Sequence, residues 1–262
     1  MNINWGGRKL AMLFGVLAGC QTMTNDPLDL SKAWDNGAIS VPALAFADGY
    51  KRQGSIDVVL PKLAGAMKPG QKLPIIVFAH GCTGLASEGR KFIELVSANG
   101  YAVVAPSSLA RPSRNFKAAC NPRNKTFSAL PYHLRLAEMS EAYKRLLALP
   151  WVDKMNIFLA GFSEGGGTAV RYQGSEFKGI IALGTNCGGP GHRGISAPLR
   201  VPVLVIYGNK DEWSSQFDFH CHPQQHDGPS RLLRLQRSGH AVLHDPQARE
   251  AVLSFLSALR GG

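Results

Sequence analysis

The 262-residue sequence lacks any apolar segment long enough to cross a membrane as a helix, which requires ~20 residues. The amino-terminal run Leu10–Leu17, LAMLFGVL, has only eight residues. Internal repeats and low-complexity segments are also missing, which excludes a repeat architecture and a long biased tract. The sequence therefore predicts a globular protein, and any membrane attachment has to come from something other than a spanning helix.

Acidic residues are scarce, because 18 Asp and Glu are outnumbered by 29 Lys and Arg, which gives a formal net charge of +11. The imbalance is strongest at residues 111–125, where five basic residues and no acidic residue occur. Such a cluster attracts acidic substrates, so we expect Arg111 and Arg114 to bind a substrate carboxylate or phosphate. No nucleic-acid-binding motif accompanies the charge, so nucleic acid is not an expected partner.

The amino terminus has the features of a secretory signal peptide. Arg8 and Lys9 precede the short apolar run, and small residues precede Cys20 in the sequence LAGC. This arrangement resembles a bacterial lipobox, which implies that Cys20 becomes the first mature residue and carries a lipid; the alternative is an ordinary signal peptide with a chance cysteine. The next residue, Gln21, is not the Asp that resembles an inner-membrane retention signal. We therefore expect an exported protein that is lipid-anchored at the outer membrane and faces the periplasm.

The chain divides into three segments on this interpretation. Residues 1–19 are the signal peptide, and residues 20–50 form a tether and lead-in without a sustained helical or strand period. Residues 51–262 have the length and continuous pattern of one α/β domain. Nothing in the pattern indicates an oligomeric state.

Short apolar runs without strict alternation are separated by helical patterns in the third segment. Runs of this kind indicate strands buried on both faces of a parallel sheet. The predicted strands are 56–62, 73–80, 101–107, 156–162, 178–184, 201–208 and 231–238, and the predicted helices are 87–100, 132–149 and 245–260. This order predicts a three-layer α/β sandwich, with a mostly parallel central sheet and helices on both faces. Functional residues should then lie on loops at the carboxyl ends of the strands.

A candidate nucleophile follows the predicted strand 156–162. The sequence GFSEG, Gly161–Gly165, is the G-x-S-x-G pattern in the strand–turn–helix context that it requires. The tight turn leaves no room for side chains two residues from the serine, and the following helix N-terminus favours developing negative charge. We therefore predict that Ser163 is a nucleophile; the alternative is a glycine-rich turn without chemistry.

A serine hydroxyl needs a base to take its proton, and the expected chain order is nucleophile, acid, histidine. Asp211 stands three residues beyond the predicted strand 201–208, and His240 lies in the loop after the predicted strand 231–238. We therefore predict His240 as the general base and Asp211 as the residue that orients its imidazole. The residues that compete for these two roles are Glu212, Asp218 and His244.

Four segments in this order, AHGCTG, LAGFSEGG, YGNKDEW and SGHAVL, resemble the α/β-hydrolase superfamily, and within it the dienelactone hydrolase family. The resemblance covers roughly residues 55–260 and implies hydrolysis of a small-molecule ester or lactone through an acyl-enzyme, without a metal or organic cofactor. It also implies that Cys82 and Glu164 donate their backbone N–H groups to the oxyanion. Dienelactone hydrolase itself has a cysteine where this chain has Ser163, which favours a broader serine carboxylesterase.

Two other functions remain open at this point. An acyltransferase would use the same acyl-enzyme with an acceptor other than water. A non-catalytic envelope lipoprotein could use the same scaffold, although such a protein has no physical need for a complete set of Ser, Asp and His.

Five cysteines occur, and four of them remain after Cys20. An exported protein is in an oxidising compartment, so these four are expected to pair. The strands that precede Cys82 and Cys120 should lie near each other in the sheet, and the strands that precede Cys187 and Cys221 should be neighbours. We therefore predict the disulfides Cys82–Cys120 and Cys187–Cys221, with free buried thiols as the alternative.

Two histidine-containing stretches suggest other chemistry. His80 precedes Cys82 by two residues, but we expect it to be a structural residue at a strand end, hydrogen-bonded under the oxyanion loop. A second stretch carries residue types that bind zinc, namely His220, Cys221, His222 and His226. Adjacent residues rarely bind one ion together, so no metal site is predicted there.

Overall fold

The computed structural model describes residues 30–42, 45–48, 56, 60, 64–111, 130–185, 187–189, 192–213 and 221–261. The strands are β1 (Ala38–Val41), β2 (Ala45–Asp48), β3 (Leu73–Ala79), β4 (Ala102–Ala105), β5 (Val152–Phe162), β6 (Ile180–Leu183), β7 (Gly188–Gly189), β8 (His192–Arg193), β9 (Val203–Gly208) and β10 (Arg231–Leu235). The helices are α1 (Ser31–Asp35), α2 (Ser87–Ser97), α3 (Leu130–Leu147), α4 (Glu164–Val170) and α5 (Pro246–Arg260). Short 3₁₀ turns occur at Ser108–Ala110 and Pro223–Gln225.

Eight strands form one sheet in the order β10-β9-β6-β5-β3-β4-β1-β2. The strands from β10 to β4 are parallel to one another, and β1 and β2 add an antiparallel edge. Since parallel strands point the same way, their carboxyl ends share one edge of the sheet, here called the carboxyl edge, and their amino ends share the opposite amino edge. The predicted mostly parallel central sheet is therefore confirmed.

Apolar side chains fill both faces of this sheet. Along β3, Ile75 and Val77 pack in a cluster with α3 and α4, whereas Ile76 and Phe78 pack with α2 and α5. Successive side chains of a strand point to opposite faces, so a strand that is apolar at every position has to be covered on both sides. The outcome is the predicted three-layer α/β sandwich.

The helix ends follow local capping chemistry. After α2, Gly100 has a φ of 86°, a conformation that glycine adopts without steric cost. Before α5, the carboxylate of Asp245 accepts a hydrogen bond from the backbone N–H of Gln247 at 2.9 Å. Such a cap satisfies a backbone donor that the first helical turn leaves without an intrahelical partner.

The structure differs from the sequence prediction in the region before β3. The predicted strand 56–62 is wrong where it is described, because Ile56 and Leu60 are helical. Both are buried and lie four residues apart, which places them on one face of a helix. In addition, β1 lies inside the predicted lead-in and pairs with β4, so the folded part of the chain extends to the amino-terminal side of residue 51.

Among the described residues, no helix combines the length and the apolar content that crossing a bilayer requires. The predicted signal peptide and Cys20 lie outside the described residues. The lipid anchor therefore stays a prediction.

Candidate active site

Ser163 occupies a sharp turn between the end of β5 and the start of α4. Its φ is 57° and its ψ is −118°, a conformation that costs free energy for a residue with a side chain. A Cβ on Gly161 would lie 2.1 Å from the carbonyl oxygen of Gly165, and a Cβ on Gly165 would lie 1.8 Å from the carbonyl oxygen of Ala79. These contacts explain why the G-x-S-x-G pattern needs both glycines.

Ser163, His240 and Asp211 form one hydrogen-bonded array at the carboxyl edge. The Nε2 atom of His240 lies 2.8 Å from Ser163 Oγ, and its Nδ1 atom lies 2.9 Å from Asp211 Oδ2. A carboxylate only accepts hydrogen bonds, so Nδ1 carries the ring proton and Nε2 is left to accept from the serine hydroxyl. The structure thus brings together the three residues that the sequence predicted.

The acid and the base of this array differ in exposure. The side chain of Asp211 is 0% exposed, whereas that of His240 is 25% exposed. The second carboxylate oxygen, Asp211 Oδ1, accepts the backbone N–H of Trp213 at 2.9 Å. A buried carboxylate in this position stabilises a positive charge on the adjacent imidazole. The arrangement can therefore support proton transfer from Ser163 to His240.

Two aromatic rings flank the imidazole of His240. The ring centroids of Phe162 and Trp213 lie 5.0 Å and 5.9 Å from that of His240. Phe162 is the residue before Ser163, and Trp213 follows Asp211 by two positions. Neither ring was predicted from the sequence, although their proximity in sequence to the predicted nucleophile and acid was a usable signal. They provide apolar surface beside the reacting atoms.

Backbone contacts between two adjacent loops hold the acid and the base together. These loops follow β9 and β10, which are neighbouring parallel strands. The N–H of Lys210 donates to the carbonyl oxygen of Ser238 at 2.9 Å. A Cβ on Gly208 would lie 2.1 Å from the carbonyl oxygen of Gly239, so this close approach requires glycine at position 208.

Side chains from α2 and α5 also support the His240 loop. Glu88, in the first turn of α2, is buried and accepts the backbone N–H of Leu243. Arg249 of α5 donates from Nη1 to the carbonyl oxygen of Leu243 at 2.9 Å. Leu243, three residues after His240, is therefore held through both its backbone N–H and its backbone C=O group.

The alternative triad residues lie elsewhere. Glu212 and His244 are both exposed, and the contacts described above place Asp211 and His240 in the array instead. Asp218 lies outside the described residues.

The two predicted oxyanion donors lie on segments that meet at the nucleophile. Cys82 belongs to a tight turn in which the N–H of Gly84 donates to the carbonyl oxygen of Gly81 at 3.1 Å. A Cβ on Gly81 would lie 3.7 Å from Ser163 Cβ, so this turn directly borders the nucleophile. Glu164 is the first residue of α4, where backbone N–H groups have no intrahelical partner.

A fully buried arginine links these two segments. Arg135 of α3 is 0% exposed, and its Nη1 atom donates to Glu164 Oε1 at 2.9 Å. Its Nη2 atom donates to the carbonyl oxygen of His80, directly before the turn that contains Cys82. Charge-assisted hydrogen bonds of this kind are strong and geometrically specific. Arg135 was not predicted from the sequence, because its position in a helical pattern does not distinguish it from an exposed arginine.

The imidazole of His80 is engaged at both nitrogens. Its Nδ1 atom donates to the carbonyl oxygen of Gly81 at 2.7 Å, and its Nε2 atom accepts the backbone N–H of Ser108 at 3.0 Å. Cys82 is disulfide-bonded, so its sulfur is not a thiolate nucleophile. His80 is thus hydrogen-bonded just beyond the end of β3, and Cys82 is held in a disulfide.

The predicted substrate-binding role of Arg111 requires a correction. Arg111 is only 4% exposed, and its Nη2 atom lies 2.7 Å from Glu138 Oε1 in a buried ion pair. The other oxygen of Glu138 accepts the hydroxyl of Ser108 at 2.6 Å. The guanidinium therefore neutralises a buried carboxylate instead of facing a substrate. Arg114 lies outside the described residues.

The cysteines were predicted to form two pairs. Cys187 and Cys221 form a disulfide across a sequence separation of 34 residues. Cys120, the predicted partner of Cys82, lies outside the described residues. In the part of the chain that the structure describes, no group of three or more His, Cys, Asp or Glu could bind a metal ion.

The fold and the arrangement of the site define a class of protein. A mostly parallel sheet lies between two helical layers, a serine occupies a strand–turn–helix junction, and an acid and a histidine follow on later loops of the carboxyl edge. These are the features of the α/β-hydrolase fold. The chain therefore has an α/β-hydrolase fold, as the resemblance of its four motifs implied.

Comparison with solved structures agrees with this class. A Klebsiella pneumoniae protein whose name assigns it to the dienelactone hydrolases has 17% sequence identity and a TM-score of 0.51, with 72% of this chain and 88% of that chain covered. The phospholipase/carboxylesterase of Dyadobacter fermentans has 16% identity and a TM-score of 0.51, with coverages of 73% and 93%. XC6422 of Xanthomonas campestris, an α/β serine hydrolase without a lid, has 14% identity and a TM-score of 0.50, with coverages of 84% and 87%. No family model and no curated protein sequence matches the chain.

Proposed function

We propose that this chain is a serine carboxylic ester hydrolase, similar to the dienelactone hydrolases, that cleaves an ester or lactone through an acyl-enzyme. The observation that carries the proposal is the array in which His240 lies 2.8 Å from Ser163 Oγ and 2.9 Å from Asp211 Oδ2. The strained turn at Ser163 and the α/β-hydrolase fold support the same reaction class.

The first half-reaction acylates the serine. His240 Nε2 takes the hydroxyl proton while Ser163 Oγ forms a bond to the ester carbonyl carbon, and the carbonyl electrons move onto the oxygen. When the carbonyl re-forms, the bond to the leaving alkoxide breaks and the imidazolium donates its proton to that oxygen. An alcohol is released from an ester, whereas the hydroxyl produced from a lactone stays attached to the acyl chain.

The second half-reaction regenerates the enzyme. His240 takes a proton from water as the water oxygen attacks the acyl carbon, and the proton then passes to Ser163 Oγ as the acyl bond breaks. Asp211 keeps the ring in the tautomer that leaves Nε2 able to accept a proton, and its charge stabilises the imidazolium in both steps.

The negative oxygen formed in both steps needs donors that are already in position. The backbone N–H groups of Cys82 and Glu164 are proposed for this role, because both segments border Ser163. Arg135 joins the segments by its two hydrogen bonds, so it is proposed as a positioning residue of the oxyanion site.

The proposal also includes a location. Cys20, after a short apolar run and the residues Leu17–Gly19, would carry the lipid that holds the protein at the periplasmic face of the outer membrane. Metabolic labelling with a fatty acid tests this step: the wild-type chain should take up label, and Cys20→Ser should not. Label retained by Cys20→Ser would contradict the anchor.

A fluorophosphonate probe tests the activity, since it reacts covalently with an activated serine. The wild-type protein should be labelled and should hydrolyse small esters, whereas Ser163→Ala should do neither. Asp211→Asn should lower kcat by about 10⁴-fold, because the wrong tautomer of His240 is then favoured. Glu212→Gln is the matched control, because this neighbouring carboxylate lies outside the array, and it should leave kcat unchanged.

A folded wild-type protein that neither reacts with the probe nor hydrolyses any member of an ester panel would contradict the proposal. Product analysis with a competing alcohol separates hydrolysis from acyl transfer. Release of the free acid as the main product supports a hydrolase.

A further inference from the structure

Two large apolar side chains are exposed in the part of the chain that the structure describes, and both lie at the amino edge. Met155 is 78% exposed and Leu199 is 60% exposed. Met155 lies near the start of β5 and Leu199 precedes β9, with β6 between these strands. Neighbouring strands are about 4.8 Å apart, so the two side chains belong to strands that run about 10 Å apart. Met155 and Leu199 therefore lie at the edge of the sheet opposite to that of Ser163.

Met155 stands on a bulge that the protein holds in place. Residues 153–156 of β5 lie opposite a single residue of β3, so this stretch projects from the regular ladder. The carboxylate of Asp153 accepts the backbone N–H of Met155 at 3.2 Å and the side-chain amide of Asn156 at 2.8 Å. A fixed bulge therefore presents an apolar side chain to solvent.

Basic side chains surround the apolar pair along the same edge. Lys154 and Arg200 are exposed and directly neighbour Met155 and Leu199. The Nζ atom of Lys178, before β6, donates to the side chain of Asn156 in the bulge at 3.0 Å. The amino-edge surface is defined here as Lys72, Lys154, Met155, Lys178, Leu199, Arg200, Arg231 and Arg260.

Three acidic residues lie close to this surface, and the carboxylates of two of them have local partners. Asp153 is held within the bulge, and Glu176 accepts the hydroxyl of Tyr172. Asp227 is exposed, and it lies close to Leu199 because its backbone N–H donates to the carbonyl oxygen of Leu199 at 2.7 Å. Six basic residues of the amino-edge surface stand against these three acidic residues, which leaves an excess of positive charge.

We propose that the amino-edge surface docks on a bilayer that contains anionic phospholipids. Apolar side chains bind at the boundary between headgroups and acyl chains, and basic side chains are attracted to the lipid phosphates. Met155 and Leu199 supply the first kind of contact, and the surrounding basic residues supply the second. In this orientation Ser163, at the opposite edge, faces the aqueous side. The proposal rests on this surface alone. It depends neither on catalysis nor on the proposed lipid anchor, which precedes a part of the chain that lies at the carboxyl edge, where Ala33 accepts the N–H of Ser107.

A fluorescent reporter tests this orientation without any substrate. The full chain carrying Met155→Cys is labelled with a polarity-sensitive fluorophore and reconstituted into phosphatidylcholine vesicles with or without about one-third phosphatidylglycerol. We expect a blue-shifted emission that brominated lipids quench, in the phosphatidylglycerol vesicles only. A label at Gln236→Cys, after β10 at the carboxyl edge, should stay aqueous in both. The chain without an added cysteine controls for background labelling.

Charge-reversal variants test the electrostatic contact. Lys154→Glu with Arg200→Glu should lower the immersed fraction of the 155 label at least about tenfold, since each basic residue near an anionic surface contributes to binding. Lys210→Glu with Arg237→Glu makes the same change in net charge at the carboxyl edge and should not lower it. Thermal melting of both variants verifies that they remain folded.

Several outcomes would overturn the proposal. These are a 155 label that stays aqueous with phosphatidylglycerol, a 236 label that becomes immersed, and equal immersion of the 155 label in neutral vesicles. Equal losses for the two charge variants would also contradict it, because net charge rather than this surface would then drive binding. A 155 label that responds to inorganic polyphosphate but not to vesicles would assign the surface to a soluble polyanion. Failure of esterase activity, by contrast, leaves this inference untouched.

Discussion

Arg135 brings a full charge into a position with no exposed surface, and proteins tolerate such burial only when the charge is paired. Its partners are the Glu164 carboxylate and the His80 carbonyl. Glu164 directly follows the nucleophile, and His80 precedes the turn that contains Cys82. The guanidinium therefore sets the spacing between the two proposed oxyanion donors, although it does not itself reach the reacting atoms.

We predict that Arg135→Met lowers kcat for ester hydrolysis by at least about tenfold, because small displacements of preorganised donors weaken transition-state stabilisation. KM should change little, since Arg135 is fully buried and is not accessible to a substrate from solvent. The free energy of unfolding should also fall, by about 3 kcal/mol, because the Glu164 carboxylate loses its partner. Steady-state kinetics, the rate of fluorophosphonate inactivation and urea unfolding measure these effects.

Arg145→Met is the matched control for this prediction. Arg145 lies on the same helix but is partly exposed and pairs with Glu141 of that helix. Arg145→Met should leave kcat unchanged. Arg135→Lys keeps the charge but not the planar set of donors, so it should retain more activity than Arg135→Met. A wild-type kcat in folded Arg135→Met would show that the arginine is only structural.

At the scale of elements, the pairing of β9 with β10 brings the acid to the base. The strands are parallel neighbours, so the loops that follow them lie side by side at the carboxyl edge. Their contact is so close that a Cβ on Gly208 would lie 2.1 Å from the carbonyl oxygen of Gly239. The fit between two loops thus determines the Asp211–His240 distance.

We predict that Gly208→Ala separates these loops and lowers both stability and activity. The new methyl group meets backbone atoms, which cannot rotate away, so the free energy of unfolding should fall by about 2 kcal/mol or more. Gly239→Ala is the control, because its Cβ would lie 3.7 Å from the carbonyl oxygen of Lys210, an ordinary packing distance. Thermal melting and kcat should separate the two variants; equal behaviour would contradict the close approach.

The β7–β8 hairpin contains a second testable element. Burial lowers the pKa of His192, and the nearby Arg171 lowers it further. The folded protein therefore binds this proton less tightly than the unfolded chain does. The contribution of His192 to the free energy of unfolding should be fully present above the ordinary histidine pKa of about 6.5. It should be lost as the pH falls through and below that value.

We predict that His192→Gln reduces the loss of thermal stability between about pH 7.5 and about pH 5. Glutamine has no proton to bind in this range, so the contribution of position 192 disappears. His244→Gln, which replaces an exposed histidine, should keep the wild-type pH dependence. Melting temperatures at both pH values test this, and an identical pH dependence in wild type and His192→Gln would contradict it.

At the scale of the whole molecule, a disulfide joins distant parts of the chain. Cys187 follows β6, and Cys221 precedes the segment that leads into β10, so the bond closes a long loop around β9. Closing such a loop reduces the conformational freedom of the unfolded chain. The bond should therefore stabilise the carboxyl-terminal half of the sheet.

We predict that Cys187→Ser with Cys221→Ser lowers the free energy of unfolding by about 3 kcal/mol. Cys187 has a φ of 58°, and serine keeps the same backbone cost there, so the comparison isolates the bond. Urea unfolding without reductant measures the change. Unaltered stability would mean that the disulfide does not restrict the unfolded chain.

Local sequence patterns were sufficient for much of the fold. Parallel strands that are buried on both faces are apolar at nearly every position, so β3, β5 and β9 were recognisable without any tertiary information. The prediction of a strand at 56–62 was wrong because a short apolar run fits a helix as well as a strand. β1 was missed because its pairing with β4 depends on a partner far along the chain.

The residues of the candidate site also fall into two groups, those predicted from the sequence and those recognised only in the tertiary structure. The sequence by itself was enough to predict Ser163, Asp211 and His240 as the candidate site, because a strained turn needs its glycines and the expected chain order is nucleophile, acid, histidine. Only the tertiary structure decided that Arg135 is a buried link, that Arg111 pairs with Glu138, and that basic and apolar residues share the amino edge. The physical reason is that burial and charge pairing depend on which distant segments meet. The amino-acid sequence of one chain does not contain the distances between such segments.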